Sequence, residues 1–124
     1  MLGRDLDIAY YQRGKPNNHL RPICEPVIDS VDQEHCVAPP TSLDAWRTAL
    51  FIGALFEAPG IRAIGVDGRA APEIETALRG LCVAGWISPA ACARARLSFE
   101  TTDTGRGWFY SHHHHLHVSW RADD

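Results

Sequence analysis

No stretch of this 124-residue chain stays apolar for the ~20 residues that a membrane-spanning helix needs, so a helical span is not expected. Positive charge is scarce too. Twelve Lys and Arg stand against 15 Asp and Glu, for a net charge of −3, whereas a nucleic-acid binder normally carries a basic face. Internal repeats are missing, and so is any composition break that would mark a linker, which predicts a single domain. Met1-Leu2-Gly3-Arg4 runs straight into a strand pattern without a basic-then-apolar leader, so no secretion signal is visible. What remains is an ordinary globular mixture, 45% hydrophobic and 22% charged. A chain of this size buries roughly two thirds of its unfolded surface, enough for one modest core.

The residue pattern predicts an α+β domain. Asp5 to Tyr11 begins with polar–apolar alternation and turns aromatic, as a half-buried strand does. Arg13-Gly14-Lys15-Pro16-Asn17-Asn18 ends it. A long irregular loop with Pro22, Pro26, Pro39 and Pro40 follows, and it contains Cys24 and Cys36. Ser42-Leu43-Asp44 opens a helix, with Ser42 the expected N-cap and Trp46, Leu50, Gly53 and Ala54 on one stripe near Phe56. Ile61 to Val66 reads as a short strand, and Asp67-Gly68 as a turn. A second helix places Pro72 at its start, Ile74, Leu78, Leu81 and Cys82 on one face, and Gly85 at its end. Ser88-Pro89 starts a short helix carrying Cys92. Leu97 to Thr101, a turn over Asp103 to Gly107, and Trp108 to Trp120 complete a β-rich end.

Of the seven histidines, five lie between His112 and His117. A terminal affinity tag does not suit this run, because Leu116-His117-Val118-Ser119-Trp120 continues it as a strand. A solvated His-rich loop with incidental metal affinity remains open for His112, His113 and His114. At period two, His113, His115 and His117 share one strand face, and Leu116 and Val118 share the other. Imidazoles at i and i+2 can converge on one ion, and zinc takes neutral imidazole readily. Catalytic zinc uses about three protein ligands, so partners must come from elsewhere. Asp5 and Asp7 share a face of the first strand; an isolated Asp-x-Asp is more often a solvated edge pair.

Gly3-Arg4-Asp5-Leu6-Asp7-Ile8, together with His112 and His115-Leu116-His117, resembles the motif pair of the LAS-type metallopeptidases, in particular the penicillin-insensitive murein endopeptidase family. That group includes D-alanyl-D-alanine metallopeptidases and lysostaphin-like enzymes. Its first motif is a His, two residues, a Gly, three residues and an Asp; its second is His-x-x-His-x-His on a late strand. The resemblance implies that Asp7 and His117 are zinc ligands, that His115 serves the attacking water or the oxyanion, and that His112 is an accessory catalytic histidine. It assigns nothing to His113 or His114. The first zinc histidine of the motif would fall one position before Met1, so residues 1–124 are expected to be a LAS-type domain without that upstream ligand; His19 or His35 are substitutes that no spacing recommends. The implied fold is a small antiparallel sheet carrying the metal site against two or three helices, as in the hedgehog and D-Ala-D-Ala metallopeptidase group. The implied activity is zinc-dependent cleavage of peptidoglycan peptide cross-links. A catalytically inactive peptidoglycan-binding domain, or a His-rich metal-binding protein, is the alternative.

Four cysteines allow three pairings. Cys24/Cys36 and Cys82/Cys92 close short loops, while four buried free thiols are the plain alternative. Neither pair has the Cys-x₂₋₄-Cys spacing of a structural zinc site. Bridges would favour an oxidising compartment, and with the family resemblance this predicts a periplasmic or extracellular protein. Trp46, Trp86, Trp108 and Trp120 are groove-lining candidates, although tryptophans at such positions are usually simply packed.

Overall fold

The computed structural model describes residues 4–14, 23–24, 39–99 and 115–120, without the side chains of residues 4, 5 and 115. The elements are β1 (Arg4–Ala9), α1 (Ala45–Leu55), β2 (Ile61–Gly65), α2 (Ala71–Val83), α3 (Pro89–Arg94), β3 (Leu97–Ser98) and β4 (His115–Trp120). The strands form one four-stranded sheet in the order β1-β4-β2-β3. The last strand therefore lies inside the sheet, flanked by β1 and β2, both antiparallel to it.

The sheet is not purely antiparallel, as the family resemblance implied, because β2 and β3 run parallel. The cause lies in the chain between them. A parallel neighbour needs a crossover connection, and α2 and α3 supply it. Leu97–Ser98 is shorter than the expected Leu97–Thr101 strand, and Thr101 lies outside the described residues, as do the expected turn at 103–107 and residues 108–114 of the expected final strand.

One face of the sheet carries the core. Leu116, Val118 and Ile64 are fully or almost fully buried and belong to the same cluster as Ala49, Ile52 and Phe56 of the α1 region and Ile74, Leu78 and Leu81 of α2. Burying a side chain such as Leu116 is worth about 1.5–3 kcal/mol. The α1 stripe differs from the one read in the sequence. Ala45, Thr48, Ala49, Ile52 and Gly53 are buried, whereas Trp46 is 56% and Leu50 is 39% exposed. Small and branched residues let α1 approach its neighbours closely: a Cβ on Gly53 would come within 2.7 Å of Ile87 Cγ1. The large Trp46 ring instead lies across Gly80 of α2.

The helix ends are set by local chemistry. Asp44, not Ser42, is the N-cap of α1: its Oδ1 accepts from Arg47 N at 3.1 Å and its Oδ2 from Arg47 Nε at 2.9 Å. Ser42 is instead engaged through its backbone, its carbonyl accepting from Arg13 N. At the end of α2, Gly85 takes φ +81°, Gly85 N donates to Cys82 O and Trp86 N to Leu81 O, which is the Schellman closure. Ser88 caps α3, its Oγ accepting from Ala91 N at 3.1 Å. A Cys82–Cys92 disulfide ties α3 to the last turn of α2. Closing a loop of this length stabilises by about 3 kcal/mol in the chain-entropy account. Cys24 is also disulfide-bonded; its expected partner Cys36 lies outside the described residues.

Candidate functional site

The segment after β1 fixes how that strand sits. Asp44 N donates to Tyr11 O, and Arg13 N to Ser42 O, so residues 11–13 are stitched to the chain entering α1. Arg47 Nη2 donates to Gln12 O at 2.8 Å, and its guanidinium lies 5.1 Å from the centre of the Tyr11 ring. Thr48, buried inside α1, receives Tyr11 N on its hydroxyl at 3.2 Å. With that end anchored, β1 pairs with β4 in a register that sets Asp7 opposite His117, Ala9 opposite His115 and Asp5 opposite Ser119.

Residues directly opposite on an antiparallel pair point to the same face. Leu116 and Val118 occupy the helix-packed face, so Asp7 and His117 emerge on the other one. There the imidazole Nδ1–H donates to Asp7 Oδ1 at 3.0 Å. An ionised carboxylate only accepts, which places the ring proton on Nδ1. The imidazole side chain is 29% and the carboxylate 55% exposed, so the pair is reachable from solvent. On its other side His117 is paired with Gly65 of β2, which puts no side chain beside the ring.

These two groups were read from opposite ends of the sequence as partners, and the sheet brings them together. Asp5 sits two positions before Asp7 on β1, in register with Ser119, and His115 stands in register with Ala9. The side chains of Asp5 and His115 lie outside the described residues, as do His112, His113, His114, His19 and His35 entirely. Among the described residues no group of three His, Cys, Asp or Glu is placed to hold one ion. The donor chemistry of the described pair suits zinc: one carboxylate oxygen and one imidazole nitrogen. Their 3.0 Å separation also fits, since ligand atoms ~2.0 Å from a tetrahedral zinc stand roughly 3.3 Å apart.

Two features of the surrounding structure are not legible in the sequence. Gly65 looked like the end of an apolar strand, and only the pairing shows it beside His117. Asp67, read as a turn residue, is 1% exposed. Its N–H donates to the hydroxyl of the fully buried Tyr10 at 2.9 Å, and its Oδ1 accepts from Arg69 N at 2.7 Å. Burial pushes the Tyr10 phenol far above its ordinary range, and the nearby Asp67 carboxylate adds to the rise, against the lowering effect of the backbone hydrogen bond from Asp67. A buried polar residue in a turn was the available signal, but nothing in sequence pairs residue 10 with residue 67. Of the tryptophans, Trp86 is 70% exposed and Trp120 is packed against the core edge; Trp108 lies outside the described residues.

No protein-family model, curated protein or solved structure matches this chain. No described helix is long and apolar enough to cross a membrane. The Cys82–Cys92 bridge is compatible with an oxidising compartment.

Proposed function

We propose that the domain is a zinc-dependent endopeptidase of the LAS type, related to the penicillin-insensitive murein endopeptidases, that cleaves peptide cross-links of peptidoglycan in a periplasmic or extracellular setting. The observation supporting this reading is the meeting of Asp7 and His117, 110 residues apart in sequence, on the exposed face of two adjacent strands. In this reading both are metal ligands, and Nδ1 of His117 would give up its proton, to Nε2 or to solvent, to hold an ion. A zinc ion there would supply an acidified water and polarise the scissile carbonyl. His115, two residues before His117 on β4, handles a proton of the attacking water or donates to the oxyanion. His112 assists from the preceding segment.

Metal content and cleavage test the reading together. The expected result is one zinc per chain, lost in His117→Ala, with His115→Ala keeping zinc but losing release of peptides from purified peptidoglycan. Equal zinc content in the parent chain and His117→Ala rejects the ligand assignment. The direct Asp7–His117 hydrogen bond favours one rival, a metal-free domain that binds wall peptides without cutting them, because the pair is satisfied without an ion. Retention on peptidoglycan with no bound zinc and no cleavage identifies that rival.

A further inference from the structure

A groove of about 520 Å³ is lined by α2, α3 and the start of β3, within the size range of ligand sites. Its floor is apolar: Leu78, the Cys82–Cys92 bridge, Ala95 and Leu97. Its rim carries Arg79 and Arg96 together with Glu75. Neither guanidinium takes part in an ion pair among the described residues. Arg79 Nη2 donates to Thr76 Oγ1 at 3.3 Å, and Arg96 Nη1 to the carbonyls of Ala93 and Ala95 at 3.4 and 3.2 Å. Glu75 lies one turn before Arg79, where such residues commonly pair, yet Arg79 turns to the threonine.

We propose that this groove binds the C-terminal end of a peptide, with its terminal carboxylate held by Arg79 and Arg96 and an apolar last side chain on the floor. Guanidinium groups bind carboxylates with two parallel hydrogen bonds, and here they keep unused donors for that purpose. Glu75 leaves a single net positive charge on the rim, which suits one carboxylate and disfavours a polyanion. A peptide rather than a fatty acid is favoured by β3. It is the terminal strand of the sheet, so its outer edge meets no strand among the described residues, and Leu97 lines the groove. An extended peptide can hydrogen-bond to such an edge; a fatty acid cannot. The inference is independent of the metal reading, since neither Asp7 nor His117 lines the groove.

Calorimetric titration of the full metal-free chain with an N-acetylated tripeptide ending in leucine, as free acid and as C-terminal amide, tests it. The acid should bind saturably, and the amide at least about tenfold more weakly. Both arginines are exposed, so the Arg79→Gln/Arg96→Gln variant should keep its fold by circular dichroism while its affinity for the acid falls to that of the amide. The Arg79→Lys/Arg96→Lys variant should recover part of the loss. Equal binding of acid and amide, no saturable binding, or an affinity unmoved by the glutamine pair overturns the proposal. Octanoate binding as tightly as the peptide assigns the groove to fatty acids and overturns it as well.

Discussion

Asp7 and His117 stand directly opposite each other on β1 and β4, with the imidazole Nδ1 3.0 Å from the carboxylate Oδ1. Adjacent strands hold them at the spacing of two ligands on one ion, on the sheet face away from the helices. That placement needs no special loop. It follows from the antiparallel register and from the burial of Leu116 and Val118 on the opposite face.

The pair should matter little for stability and much for metal. An ion pair or hydrogen bond between groups this exposed contributes at most about 1 kcal/mol. Metal-free Asp7→Ala and His117→Ala should therefore melt within a few degrees of the parent chain, while zinc retention by equilibrium dialysis is lost in both. A large loss of stability in the metal-free variants would instead make the pair a structural one.

Asp44 and Ser42 separate two capping assignments. Asp44→Ala removes the acceptor of Arg47 N and the partner of the Arg47 side chain, and should cost about 1–2 kcal/mol in urea unfolding. Ser42→Ala should change stability by less than about 0.5 kcal/mol, since the contact made by Ser42 here uses its backbone carbonyl. Equal losses from the two would mean that Ser42 also caps the helix in solution.

Two glycines on the helix interfaces should respond oppositely to alanine. Both substitutions gain up to about 1 kcal/mol of helix propensity. At position 53 the new methyl meets Ile87, which is only 4% exposed and has little room to move, so overpacking of about 1–3 kcal/mol wins and Gly53→Ala destabilises. At position 80 it meets the edge of the Trp46 ring, which is half in solvent and can swing away. Gly80→Ala should be neutral or stabilising. Thermal melts of the two variants decide it.

Tyr10 predicts an alkaline limit. Its folded-state pKa lies above the ordinary value of 10.0, mainly through burial. The folded state therefore holds this proton more tightly than the unfolded one. Its contribution is complete below about pH 10 and fades as the pH rises further, so unfolding should become easier in that window. Tyr10→Phe should flatten this alkaline slope. It should also cost about 1–3 kcal/mol at neutral pH, because Asp67 N loses its acceptor in a buried place. An unchanged alkaline slope in Tyr10→Phe would assign it to other groups.

Much of the local structure was legible because its causes are local. The period-two pattern of His115 to Trp120, the apolar face of α2, Ser88 before Pro89 and Gly85 after α2 all sit within a few residues of what they control. Gly53 is buried as the α1 stripe predicts, but the rest of the stripe is shifted by one step, because hydrophobicity favours Trp46 and Leu50 whereas the space available favours Ala45 and Ala49. The N-cap was displaced for a related reason: Ser42 and Asp44 are both able cap residues, and the stitching of residues 11–13 to 42–44 chose between them.

By itself the sequence determined an α+β chain, the face on which the final histidines alternate, and the chemical types of the groups that could meet there. Tertiary structure decided the rest: that β4 lies between β1 and β2, that β3 joins parallel, that Asp7 rather than Asp5 faces His117, and that Gly65 flanks the ring. The reason is range. Side-chain alternation and capping act over two to four residues and are written in the chain, whereas strand order and register depend on which distant apolar faces fill one shared core.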